Sequence, residues 1–284
     1  MRYVIYHGNC PDGFGAAFAA HMKFGEDGTK YLPAVYGEDT LGMITFTPED
    51  EVYIVDFSFK RNILLALKDT VKTLVVLDHH KTAEEDLRGL DFCVFDMKRS
   101  GALITYDYFF PKGTERAFFE YISDRDLWTW KLSQSNEINS YLMSFEYTFE
   151  NYSKLLNEFM GSGFDGMVTA GEAIIRVNDK NVNMICSQAE RLSWMIPTGD
   201  WDNFPNTYEV ALVNATSHWS DVGQRLIELN PGVDFSMSYF KTNSGKYKYS
   251  LRSKGDFDVS IIAKAFGGGG HKNAAGFESD TLIL

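Results

Sequence analysis

From Arg2 to Trp130, short apolar runs alternate with longer amphipathic ones. Strand-length runs lie at Arg2 to Tyr6, Val52 to Phe57, Thr73 to Leu77 and Phe92 to Phe95, while Phe14 to Phe24 and Ile63 to Val71 carry apolar residues at helical spacing. Strands separated by helices predict a parallel sheet with helices packed on it. From Ser100 to about Trp194 the spacing turns helical, through "GALITYDYFF", "TERAFFEYI" and "NYSKLLNEFM" to a long connector, "GMVTAGEAIIRVNDKNVNMICSQAERLSWMI". The Asp-, Asn- and Pro-rich "PTGDWDNFPNT" then marks a boundary. Beyond it come a strand, "YEVALVN", a helix over about Ser220 to Leu229, and a hairpin of "DFSMSYF" and "KYKYSLRS" turning through "NSG". The expected class is α/β, with a larger parallel-sheet domain over residues 1–160, a connector helix and linker over 161–200, and a smaller α/β domain over 201–284.

Composition narrows the setting. With 284 residues, 44% of them hydrophobic and 15% aromatic, the chain can fill one large core or two modest ones. Its opening, "MRYVIYHGNCPDG", has too short an apolar run for a signal peptide, and no stretch approaches the roughly 18 apolar residues of a membrane span, so a soluble, cytoplasmic protein with no membrane partner is expected. Cys10, Cys93 and Cys186 lie far apart with no CxxC pair, which points away from a disulfide framework and from a zinc knuckle. A formal charge of −12 argues against a broad basic surface for long duplex nucleic acid, whose binding draws on neutralised phosphates. A phosphate ligand here should be small, or clamped locally.

Polar residues gather where the strands should end: His7 to Asp12 after the first, Asp56 after "VYIV", and Asp78, His79 and His80 after "TLVVL". Ligands of open α/β sheets bind at the carboxyl ends of the strands. Adjacent strands are about 5 Å apart, so Asp56 lies within reach of a metal shared with the "DHH" triplet. Imidazole and carboxylate donors together suit Mn²⁺, Fe²⁺ or Zn²⁺. "YISDRDLWTW" adds Asp124 and Asp126, which by themselves read as a capped helix end with an Asp and Arg surface pair and gain meaning only beside the other motifs. In "DVSIIAKAFGGGGHKNAAGF", four glycines expose backbone N–H groups able to form an anion nest, and a helix expected to start near His271 would add its positive end. Arg252 and Ser253, at a strand end, stand where they could reach the same phosphate or a base.

Together, "HGNCPDGFG", "VDFS", "LDHH", "SGA", "SDRDLW" and "GGGGHKNAAGF" resemble the DHH phosphoesterase superfamily with its DHH-associated C-terminal domain, in the family's order and across residues 7 to 276. The resemblance implies two lobes facing a cleft, two Mn²⁺ ions on the larger lobe and substrate gripping by the smaller, and is nearest the nanoRNase and cyclic-nucleotide phosphodiesterase branch. It maps metal ligation onto His7, Asp12, His79, a bridging Asp56 and Asp124, with Asp126 the alternative to Asp124. Catalysis falls to Asp78 and His80, the latter touching phosphate, and substrate binding to Arg252, Ser253, Gly267, Gly268, Gly269, Gly270 and His271. Cys10 replaces the first Asp of the family's DxD, so the second metal position is expected to be weak for Mn²⁺. The implied activity is Mn²⁺-dependent hydrolysis of short oligonucleotides or linear or cyclic dinucleotides to mononucleotides, acting on a short nucleotide partner, with a homodimer allowed. Two alternatives stay beside it: a phosphomonoesterase or polyphosphate hydrolase, including one acting on 3′-phosphoadenosine 5′-phosphate, and a catalytically silent nucleotide-binding protein.

Overall fold

Val4, Val55 and Leu77 face one way from their strands and Tyr3, Ile5, Ile54 and Val76 the other, because successive residues of a strand point to opposite sides. The strands belong to a computed structural model that describes residues 1–8, 10–36, 39–195 and 207–283. The chain divides into two units, Met1–Ile175 and Arg176–Leu284.

In the first unit, β1 (Arg2–His7), β2 (Thr29–Ala34), β3 (Glu51–Val55), β4 (Thr73–Asp78) and β5 (Cys93–Phe95) form a wholly parallel sheet in the order β2-β1-β3-β4-β5. Helices α1 (Pro11–Phe24), α4 (Gly101–Phe109), α5 (Arg116–Asp126), α6 (Ser135–Leu142) and α7 (Phe149–Met160) build the core on one face with Phe14, Phe18, Tyr106, Phe119, Ile138 and Leu155. On the other face lie α2 (Arg61–Thr70) and α3 (Lys81–Leu87), through Leu64, Leu67 and Leu87. The expected parallel sheet with helices on it is what the chain forms. Strand β2 is an addition to the sequence reading: Lys30 and Pro33 break its apolar pattern, which an edge strand tolerates. The register matters most for the site. Tyr6 pairs with Val55 and Val55 with Leu77, so the next residue of each strand, His7, Asp56 and Asp78, stands level with the others at the carboxyl edge.

The long helix α8 (Phe164–Cys186) contains the division between the units. The second unit has a six-stranded mixed sheet, order β10-β11-β9-β8-β7-β6, from β6 (Glu190–Met195), β7 (Thr207–Asn214), β8 (Phe235–Lys241), β9 (Tyr247–Arg252), β10 (Gly269–His271) and β11 (Ala274–Ser279). Helix α9 (Trp219–Leu229) makes the crossover between the parallel pair β7 and β8, and with the end of α8 covers Ala211 and Val213; α10 (Val259–Ala265) covers Val210 and Leu212 on the opposite face.

Two sequence expectations fail here. "ERLSWM" is strand β6 and not the end of the connector helix, because Leu192 and Trp194 alternate inward and Trp194 is buried in the sheet's core. The helix expected to start at His271 is instead the hairpin β10–β11, whose second strand pairs with β9. The expected boundary loop, residues 197–207, lies almost wholly outside the described residues. Among those described, no helix is long and apolar enough to cross a membrane.

Candidate metal centre

The level ends of β1, β3 and β4 deliver His7, Asp56 and the Asp78–His79–His80 turn to one place, and Asp12 joins them from the first turn of α1. Asp56 has its backbone in the left-handed region, φ 52°, which costs a non-glycine residue about 1 kcal/mol. Its two oxygens face different partners. Oδ1 lies 3.1 Å from His79 Nε2, and Oδ2 lies 3.6 Å from His7 Nδ1. Around the same His79 Nε2 stand Asp12 Oδ2 and Asp126 Oδ2, each at 3.5 Å. Ligand atoms of His7, Cys10 and Asp56 lie within 4.8 Å of one another, as do those of Asp12, His79 and Asp126, and those of Asp56, Asp78 and His80.

Helix α4 closes the site from below. Its first amides, Gly101 N and Ala102 N, donate to Asp12 at 2.7 and 3.1 Å, so the helix's positive end faces the carboxylate. A side chain at position 101 would not fit, since its Cβ would fall 2.4 Å from Asp56 Cβ. Asp78 serves the neighbouring histidine: its Oδ1 accepts from His79 N at 2.8 Å and meets His80 Nδ1 at 2.6 Å.

The electrostatics are crowded. Burial, then the charges of Asp56 and Asp126, pushes Asp12 well above the carboxylate range, and burial likewise raises Asp126. For Asp56, burial acts upward but is outweighed by His7 and His79, which hold it well below that range. His79 moves well up, because Asp56, Asp126 and Asp12 outweigh its burial. Burial, with the surrounding carboxylates, also pushes the Cys10 thiol well up.

Of the two acidic residues in "SDRDLW", the structure brings Asp126 into this cluster and not Asp124. The Asp124 carboxylate faces the following loop, where it accepts from Thr129 Oγ1, from Lys131 N at 2.8 Å and from Leu132 N at 3.2 Å. The sequence does hold a signal for Asp126: Phe119, Ile122, Ser123 and Asp126 share one face of α5 at i, i+3, i+4 and i+7. Ser123 Oγ on that face accepts from Ser100 N, beside the start of α4.

In the second unit, Arg252 ends β9, its guanidinium donating to Ser220 Oγ at 2.7 Å and to Leu251 O at 2.9 Å. Ser253, also expected to bind substrate, is buried and donates to Phe257 O at 2.7 Å while accepting from Asn273. Within the glycine run, Gly267 N and Gly268 N donate to the last carbonyls of α10, while Gly269, Gly270 and His271 form β10. Gly268 and Gly270 are there for close packing: a Cβ would fall 2.1 Å from Gly276 O at the first and 2.6 Å from Ala274 O at the second.

Comparison with known proteins places this geometry. Residues 225–282 match the DHHA1 domain. Over 96% of its length the chain is 26% identical to the oligoribonuclease NrnB of Bacillus subtilis (strain 168), covering 72% of that protein. The chain is thus similar to the DHH phosphoesterase superfamily, with that superfamily's DHHA1 domain matched in its C-terminal part. It is also 34% identical, again over 96% of its length, to an uncharacterized protein of Acanthamoeba polyphaga mimivirus, of which it spans 66%. The DHH fold is seen in the solved structure of RecJ in complex with Mn²⁺ from Thermus thermophilus, with a TM-score of 0.53, 15% identity, and coverage of 98% of this chain and 49% of that one.

The DHH cluster has the character of a cation site on its own geometry. Among the described residues, the buried atoms His7 Nδ1, Asp56 Oδ1, Asp78 Oδ2 and Asp126 Oδ2 make no aligned hydrogen bond. Buried polar atoms without partners are rare and costly unless something absent from the chain satisfies them. Three carboxylates around one imidazole repel one another, and nitrogen and oxygen donors in that arrangement fit a divalent transition ion.

Proposed function

We propose that the chain is a metal-dependent phosphodiesterase that cleaves short oligonucleotides or dinucleotides to mononucleotides, with Mn²⁺ as its ion. The observation that carries this reading is the cluster of buried Asp12, Asp56 and His79 with partly buried His7 and Asp126, one Asp56 oxygen lying toward each histidine. Asp12, His79 and Asp126 would hold one ion and His7 and Cys10 the other, with Asp56 between. Bound there, the ions would acidify an attacking water and offset charge on the phosphate.

The chain's own groups set the rest. Helix α4 holds Asp12 in place through two amides, and Asp78 fixes the ring of His80, to which we assign a phosphate contact through Nε2. In the second unit, Arg252 and the hairpin around His271 are assigned to the remainder of the substrate. That Arg252 is a bidentate-capable cation at a strand end supports this, as does the oligoribonuclease name of the Bacillus subtilis relative. A small substrate suits a chain of charge −12, because binding to long nucleic acid draws on many neutralised phosphates. A reducing cytoplasm would keep Cys10 a thiol.

The test is to incubate the Mn²⁺-loaded protein with pApA, pGpG, cyclic dinucleotides, 3′-phosphoadenosine 5′-phosphate and polyphosphate, and to resolve the products by chromatography. Mononucleotides released from the linear dinucleotides are expected. Release of inorganic phosphate alone, from the last two substrates, would overturn the reading in favour of a phosphomonoesterase or polyphosphate hydrolase. Binding without turnover would favour a silent nucleotide-binding protein.

A further inference from the structure

Trp128 and Trp130 both have left-handed backbone, φ 56° and 50°, which side chains of that size seldom adopt. The loop that holds them so is wound around Asp124: the carboxylate accepts from Thr129 Oγ1, Lys131 N and Leu132 N, and the Asp124 carbonyl accepts from Thr129 N at 2.9 Å. A strained turn built on a buried carboxylate must present something. What it presents is a pair of indoles, in T-shaped contact at 5.0 Å and 74°, each only partly buried. Neither ring belongs to a hydrophobic core, whereas Trp194 and Trp219 both do. In a T-shaped pair the edge-on ring keeps both faces clear of its partner. The place is equally specific, since Trp128 follows Asp126 by two residues and the chain can carry its Cα no more than about 7 Å from that of Asp126. That is about the span from a phosphate to its own base.

We propose that the Trp128–Thr129–Trp130 loop is a base-stacking platform, on which an indole takes the face of the nucleobase next to the phosphate bound by the ion that Asp126 would help to hold. The proposal rests on the nucleotide reading of the metal centre and adds a determinant to it: affinity for the base as a π-surface, tolerant of sequence because every base has one. Asp124 is a positioning residue in this account, shaping the loop without touching substrate.

Two measurements decide it. In the wild-type protein with Mg²⁺, adenosine 5′-monophosphate should quench tryptophan fluorescence at concentrations where ribose 5-phosphate, which lacks the base, does not, and Trp128→Phe with Trp130→Phe should remove that quenching. Equal responses to the two ligands would overturn stacking. In turnover, Trp128→Leu or Trp130→Leu should reduce the ratio of kcat/KM on pApA to kcat/KM on its abasic analogue by about tenfold or more. An unchanged ratio would also overturn it. If the wild-type protein cleaves no dinucleotide, the phosphodiesterase reading falls, while the fluorescence comparison still decides the stacking.

Discussion

A methyl group on Gly101 would fall 2.5 Å from Asp56 Oδ1, so the first residue of α4 and the central carboxylate of the cluster leave no room for each other to change. Gly101→Ala should destabilise the fold by about 1–3 kcal/mol and disturb Asp56 directly; urea denaturation and turnover together should both register it. Asp126 and Asp124 separate by role. Asp126→Asn should lower Mn²⁺ affinity, read by calorimetric titration, while Asp124→Asn should keep the metal and lose about 1–3 kcal/mol of stability with its loop hydrogen bonds. Equal metal loss in the two would contradict the assignment. Cys10 tests the second position: a thiol suits hard Mn²⁺ poorly, so Cys10→Asp should tighten Mn²⁺ about tenfold, and a flat titration would show that the thiol is no ligand. Much of this was legible beforehand, because strand-end histidines and aspartates announce themselves against apolar runs. Asp124 and Asp126 did not separate, because local composition is the same for both and only the helical face of α5 distinguishes them.

Between elements, one charge network ties the approach to α4 to α4 and α5. Arg99 donates to Asp96 and to Asp107, each at 2.8 Å, and Arg116 donates to Asp107 at 2.7 Å. Burial works upward on both aspartates, but the hydrogen bonds prevail and hold each below the ordinary carboxylate range. A lowered folded-state pKa gives stability that is present above the unfolded value, near 3.9, and lost as pH falls through the folded one. Thermal melts should therefore show stability falling as pH drops below about 4, and Asp107→Asn should flatten part of that slope. Strands β1, β3 and β4 of the parallel sheet could be read from their apolar runs because they are central and buried on both faces, whereas the edge strand β2 could not. Strand β6 could not, since Ile185, Ala189 and Leu192 also fit a helical spacing continuing from α8, and pairing with β7 decides the matter. Similarly, a glycine run before His271 reads as a loop and helix start until β11 pairs with β9.

At the scale of the whole molecule, the α/β class and a smaller second α/β unit were both legible from element order. The division itself falls inside α8, where the helical pattern is continuous and no composition shift marks it. The proposed function, cleavage of a small anionic substrate at the ends of β1, β3 and β4, is supported by the acidity of the chain and by the DHHA1 match in its second unit. That claim depends on Asp56 more than on any other residue. The most direct measurement is the rate of pApA hydrolysis by Asp56→Ala in saturating Mn²⁺, with circular dichroism confirming the fold: the account predicts a folded protein with turnover abolished, and a folded variant with near-normal turnover would contradict it.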